Sequence, residues 1–224
     1  MLQGIIFDFD GVIADSEPLH LRAYQEVLQK EGIELTPGEY YSRYLGFDDS
    51  GLFRSLASDR GIPITDDKVD SWIDAKSHII ENLLSSDSVL FPGAAACVQT
   101  LARTIPLAIA SGALAPEIDI VLSHAGLTGC FKAIASASDG VRGKPAPDLY
   151  LLALAKLRSA AEVTAAGCVA IEDSGWGLEA AKHAGLRTVA ITHTYPAADL
   201  GTADLVVNHL SEITIPGLEA LIDR

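Results

Sequence analysis

The chain has 224 residues, 49% of them hydrophobic and ten of them proline, a composition that fits one large or two small packed domains and excludes a disordered chain. Sixteen Lys and Arg against thirty Asp and Glu leave a formal net charge of −14, which argues against a nucleic-acid or anionic-membrane partner because both need clustered cations. The same excess repels anionic substrates at long range, so a site for one needs local cations or a metal.

The first apolar run, Gly4–Phe9, reads as a buried strand. No Lys or Arg precedes it, and Asp8 and Asp10 fall at its end, so it does not read as a signal peptide. On a strand, side chains two apart share a face. The two carboxylates are therefore expected close together, where repulsion and lost hydration call for a positive partner or a shared proton, and Gly11 behind them frees the chain to turn and lets the pair diverge. The next strand of comparable character, Pro106–Ala110, begins about a hundred residues later, far beyond the ~30 of one βαβ unit. The interval carries the helical stretches Leu19–Lys30, Gly51–Arg60 and Lys68–Leu84 and little β signal. Residues 16–86 are read as an inserted helical cap with hinges at Ala14–Glu17 and Ser85–Leu90, leaving residues 1–15 and 87–224 as the core.

Further runs follow at Ala133–Ala135, Cys168–Ile171, Thr188–Ile191 and Ala203–Val207. The helical stretches Ala94–Ala102, Pro116–Ala125, Pro147–Leu157, Gly177–Ala184 and Pro216–Ile222 are interspersed with them. Apolar strands alternating with helices predict an α/β fold with a doubly wound parallel sheet, covered on both faces, that collects ligands at its carboxyl ends. Cys97, Cys130 and Cys168 show no paired or metal-ligand spacing and read as buried thiols. No stretch approaches the ~18 unbroken apolar residues of a membrane span. The expectation is a soluble cytoplasmic protein, with a monomer as the default.

Four polar clusters stand at strand ends: Asp8-Phe9-Asp10-Gly11, Ser111-Gly112, Lys144-Pro145-Ala146-Pro147-Asp148 and Glu172-Asp173-Ser174. Singly, each has a bland reading as a helix cap, turn former or solvated charge. Together they suit phosphoryl transfer. A carboxylate can attack phosphorus, a second can protonate the leaving oxygen and then activate water, and a lysine can neutralise the transferring group. A Mg²⁺ ion held by carboxylates including Asp173 would relieve the crowding of acids. The Ser111 hydroxyl and the Gly112 amide would hold phosphate oxygens.

"DFDGV", "ASG", "GKPAPD" and "IEDS" resemble, in order and spacing, the four motifs of the haloacid dehalogenase superfamily. "KPAPD" with "EDS..G...A..AG" (Glu172 to Gly185) is similar to its β-phosphoglucomutase-like phosphatase branch. The resemblance implies a Rossmann-like core, Asp8 as nucleophile and Asp10 as acid/base. It also implies Lys144 as a catalytic and phosphate-binding residue, and Mg²⁺ held by Asp8, the Asp10 carbonyl, Asp173 and Glu172. Asp10 excludes the branches that lack a second acid, which leaves phosphate-ester chemistry on a small phosphorylated metabolite, with a sugar phosphate the expected class.

A sugar-phosphate mutase is the alternative within the family. His20, Gly46 and Lys76 resemble its substrate-facing cap residues, although His20 and Lys76 read equally as surface positions, Lys76 beside Asp74. Against the mutase, Asp49 stands where the family places an arginine, and Gly112 to Ala115 offer no donors for a second phosphate. A receiver-like signalling domain would also gather acids, a hydroxyl and a lysine around Mg²⁺. It would however lack the inserted cap and would carry its acid pair and phosphoacceptor on different strands. A retired binding protein on the same scaffold is opposed by the intact residue set. Trp176 is left between packing on the hinge and lining the pocket.

Overall fold

The computed structural model describes residues 1–86 and 89–223. The chain forms two compact units, Met1–Ser16 with Ser88–Arg224, and Glu17–Asp87. In chain order, β1 (Gly4–Phe7) is followed by α1 (Glu17–Lys30), α2 (Pro37–Glu39), α3 (Asp49–Asp59) and α4 (Asp66–Ser86) of the helical unit. The α/β unit resumes with α5 (Ala94–Ala102), β2 (Leu107–Ala110), α6 (Ala115–His124), β3 (Phe131–Ala135) and α7 (Asp148–Arg158). It closes with β4 (Cys168–Glu172), α8 (Gly175–His183), β5 (Arg187–Ile191), β6 (Leu205–Val207) and α9 (Ile215–Ile222).

All strand pairs are parallel, in the order β3-β2-β1-β4-β5-β6. The sequences of β1, β2 and β4 (GIIF, LAIA and CVAIE) are buried at every position, as strands sandwiched between helices must be. Tyr150, Ala153 and Leu154 of α7 and Ala180 and Ala181 of α8 share one core cluster with Ile6, Ala108 and Ala170 of the sheet. The order reverses around β1, whose neighbours are β2 and β4, and doubly wound sheets open a ligand crevice at such a point.

Element positions follow the sequence reading closely, with one consequential difference. β1 ends at Phe7 rather than Phe9. The Phe9 carbonyl accepts the Ile13 and Ala14 amides at 2.8 and 3.0 Å, and Gly11 turns the chain with a φ of +77°, a conformation that glycine alone adopts freely. Asp8 and Asp10 therefore do not share a strand face. The predicted first hinge is partly structured: Ala14 bridges Leu90 in antiparallel fashion, Asp15 N–H donates to the Val89 carbonyl at 2.7 Å, and Glu17 already opens α1. Of the second predicted hinge, Ser85–Leu90, the first two residues close α4, and residues 87 and 88 lie outside the described residues.

The helical unit has its own core, in which Leu21, Tyr24, Leu28, Leu52, Phe53 and Trp72 are buried together. Helical structure also covers Pro37–Tyr44 as α2 and a π-helical turn, a stretch the sequence reading left unassigned. The signal is local: Thr36 caps the Glu39 amide and Pro37 occupies the first turn, a combination that starts helices.

Candidate active site

Asp8 is the first residue past β1, and its N–H still donates to the Ile171 carbonyl of β4 at 2.9 Å. That bond seats it beside Glu172, the last residue of β4, and Asp173. The three acids are only 8%, 0% and 6% exposed, and carboxylate oxygens from all three lie within 4.8 Å of one another. Lys144, in the loop before α7, extends Nζ to 2.8 Å from Asp8 Oδ1 and 2.6 Å from Glu172 Oε1. The Lys144–Pro145 peptide is cis, and the ammonium lies 5.2 Å from the centroid of the Tyr150 ring.

The two ends of Glu172 are held differently. Oε1 accepts from Lys144 and from the Tyr150 hydroxyl at 2.8 Å. Oε2 accepts the Asp173 and Ser174 amides and the Ser174 hydroxyl at 3.1, 3.3 and 3.2 Å. A Cβ at Gly177 would fall 1.9 Å from this carboxylate, so only glycine lets α8 begin where it does. Gly11 serves Asp173 in the same way, since its Cβ would sit 1.9 Å from Asp173 Oδ2.

One ammonium against three buried carboxylates leaves the cluster short of positive charge. The Asp8 carboxyl is accordingly pushed well above its ordinary range, by burial first and then by Glu172, with Lys144 opposing. Asp173 is raised to about 7 by burial and Glu172, against a hydrogen bond from Thr194 and the charge of Lys144. Lys144 is raised as well: burial acts against its charge, but Asp8 and Glu172 more than offset it. A buried set of oxygen donors short of positive charge fits a hard divalent ion.

A pH dependence follows. Asp173 titrates near 7 in the folded protein against 3.8 ordinarily. A raised carboxyl stabilises the fold below its unfolded pKa, and that contribution is lost as pH rises through the folded value. Metal-free protein is therefore expected to lose stability between about pH 4 and pH 7, and Mg²⁺ to raise the melting temperature more at about pH 8 than at about pH 6. Thermal melts in EDTA and in Mg²⁺ at both pH values check this; an equal Mg²⁺ shift at both would contradict it.

Asp10 stands apart from the three-acid cluster. It is half-buried, and its carboxylate accepts a hydrogen bond from the Ser16 hydroxyl. Ser111 follows β2, whose Ile109 is in register with Phe7. It is 1% exposed, its Oγ accepts the Ala113 amide at 3.0 Å, and Gly112 beside it is exposed.

The predicted cap residues lie in the helical unit. Gly46 is exposed with a φ of +84°. Lys76 is not a solvated charge beside Asp74. It is 3% exposed and pairs with Asp49 Oδ1 at 3.0 Å, with the Tyr24 ring centroid 5.2 Å from Nζ. The Tyr24 hydroxyl donates to the same Asp49 oxygen. His20 belongs to this group: burial, then the Lys76 charge, push its imidazole down to about 3, with Asp49 opposing. Asp49 is thus matched by a cation rather than standing as a bare anion. Trp176 is 51% exposed and meets Tyr195 edge-on at 6.3 Å.

Sequence reasoning singled out neither Tyr150 nor Thr194. Nothing in the sequence marks a helix-borne tyrosine or a threonine after β5 as partners of strand-end acids. For Gly177, the spacing "EDS..G" was the available signal.

A family profile described as haloacid dehalogenase-like hydrolase matches residues 5–191. The chain is 30% identical over 220 residues to β-phosphoglucomutase of Bacillus subtilis, spanning 96% of this chain and 92% of that one. It is 28% identical over 188 residues to fructose-1-phosphate phosphatase YqaB of Escherichia coli, spanning 84% and 95% respectively. Among solved structures, a mutant CbbY from Rhodobacter sphaeroides in complex with xylulose-(1,5)bisphosphate superposes with a TM-score of 0.86 and 27% identity, over 97% of this chain and 99% of that one.

Proposed function

Since the chain belongs to the haloacid dehalogenase-like hydrolase family, we propose that it is a Mg²⁺-dependent phosphomonoesterase acting on a sugar phosphate through an aspartyl-phosphate. The observation that carries this reading is the buried group of Asp8, Glu172 and Asp173 around the Lys144 ammonium. The relatives named above differ in activity, but a phosphorylated sugar is common to all three. The absence, among the described residues, of a helix long and apolar enough to cross a membrane and three free cysteines are compatible with work in a reducing cytoplasm.

In this mechanism Asp8 attacks phosphorus and carries the phosphoryl group as an acyl phosphate. Asp10 gives its proton to the leaving oxygen and recovers one from the water that later hydrolyses the intermediate. Lys144 offsets charge on the equatorial oxygens, and Ser111 with the Gly112 amide holds others in place. Asp8, the Asp10 carbonyl and Asp173 would hold Mg²⁺, with Glu172 beside them. When bound, the ion supplies charge neutralisation and alignment of the phosphate. The helical unit, Glu17–Asp87, is the proposed cap, with His20, Gly46 and Lys76 its candidate substrate-facing residues, Lys76 in its pair with Asp49.

Against a mutase, Lys76 is committed to Asp49, and Gly112, Ala113, Leu114 and Ala115 carry no side-chain donors for the distal phosphate of a bisphosphorylated intermediate. A panel of sugar monophosphates and bisphosphates, assayed with Mg²⁺ and with EDTA, tests the assignment. Mg²⁺-dependent phosphate release is expected. Isomerisation of a sugar phosphate without release of phosphate would replace phosphatase by mutase.

A further inference from the structure

His193 has no part in the chemistry above, yet it touches both peptide segments that flank the inserted unit. Its Nδ1 lies 3.0 Å from the Gly11 carbonyl oxygen, and because a carbonyl only accepts, Nδ1 must carry the proton. The same ring stacks on Phe91 with centroids 3.9 Å apart and planes 22° from parallel. Gly11 and Phe91 belong to segments that are themselves paired. Phe91 N–H donates to the Ile13 carbonyl at 3.0 Å, Asp15 N–H to the Val89 carbonyl at 2.7 Å, and Ala14 bridges Leu90.

The support behind His193 is rigid. Ile191 of β5 pairs with Val207 of β6, and the Thr192 amide continues the ladder to the Val207 carbonyl at 3.0 Å. The next residue, Thr194, meets the same turn: its Oγ1 would lie 2.9 Å from a Cβ on Gly11, beside Asp173 Oδ2 at 1.9 Å. One short segment after β5 therefore braces the Gly11 turn, the returning Phe91 segment and Asp173.

The turn being braced is the one that carries Asp10. The Gly11 amide donates to the Ala14 carbonyl at 2.9 Å, which leaves the Gly11 carbonyl as the group His193 captures. We infer that His193 is a positioning residue that locks the Asp10–Ala14 turn to the Val89–Phe91 segment and so fixes the direction of the Asp10 carboxyl.

This rests on the phosphatase reading for its kinetic consequence but not for its structural one. An acid/base residue matters most when the leaving group is a poor one. On kcat/KM, which reports phosphoryl transfer and not the later hydrolysis, His193→Ala and His193→Phe are expected to lose roughly 10- to 100-fold with a sugar or alkyl phosphate and about 2-fold or less with p-nitrophenyl phosphate. His193→Phe keeps the stack on Phe91 and lacks the donor. His193→Asn keeps a donor and is expected to restore most of the difference.

Amide hydrogen exchange on the metal-free protein supplies the second arm. The amides of residues 11–15 and 89–91 are expected to exchange about 10-fold faster in the Ala and Phe variants and near the wild-type rate in Asn. Unchanged exchange overturns the inference, as do parallel losses on the two substrates or rescue by Phe rather than Asn. If the wild-type chain hydrolyses neither substrate, the phosphatase reading fails, and the exchange arm alone decides whether His193 is the lock.

Discussion

Asp8→Asn is expected to lower phosphate release from p-nitrophenyl phosphate by roughly 10³- to 10⁶-fold, the range found when a covalent nucleophile is removed from an enzyme. The substitution is conservative in shape. The Asp8 Oδ1 that accepts from Phe9 N–H at 2.7 Å and from Lys144 at 2.8 Å has a counterpart in the asparagine amide oxygen. It also removes one of three crowded carboxyls, the one raised by burial and by Glu172. Metal-free Asp8→Asn is thus expected to melt no lower than wild type at about pH 8, where ionising that carboxyl is unfavourable. Activity assays and melts on one preparation separate the alternatives. Lost activity with a preserved melting temperature supports the nucleophile; retained turnover sinks the mechanism.

Lys144→Met is expected to lower both activity and stability. Without the ammonium, Glu172 at 0% exposure keeps its hydrogen bonds from Tyr150 and the 173–174 segment but loses the one from Lys144 and the cation that offsets its charge, and Asp8 loses the same partner. Removing one side of a buried ion pair destabilises by about 3–5 kcal/mol, and losing a charge that stabilises the transition state lowers kcat/KM by roughly 10²- to 10³-fold. The stability loss has a pH signature. The carboxyls left behind can relieve it by taking up protons, so in EDTA the deficit is expected to be smaller at about pH 6 than at about pH 8. Chemical denaturation at both pH values measures it. A deficit that does not depend on pH would assign Lys144 a packing role instead.

Much of this was readable from residues alone, for identifiable reasons. Buried parallel strands need unbroken apolar runs, and Gly4–Phe7, Leu107–Ala110 and Cys168–Glu172 supply them. Their order in the sheet was not readable. Nothing local says that β4 lies against β1, and that adjacency is what brings Glu172 and Asp173 to Asp8. Period-two alternation puts Asp8 and Asp10 on one face only while a strand continues; Gly11 was legible as the residue that lets the pair diverge, and its turn begins inside the motif. Tyr150, Thr194 and His193 were illegible because they act from a helix and a loop as single ordinary polar residues, without a spacing to betray them. Asp49 was read as an unopposed anion because its partner Lys76 comes from another helix.

The Asp49–Lys76 pair shapes what mutation can reach. A change of Asp49 to arginine sets a second cation against an ammonium that is only 3% exposed, and a change of Lys76 alone strands the acid. Each step costs about 3–5 kcal/mol in a fold whose total margin is about 5–15 kcal/mol. Either single change takes a large share of that margin, so exchanging both residues together is the less costly route. The pairing acts as a ratchet in sequence space: it favours keeping both residues until two substitutions arrive together.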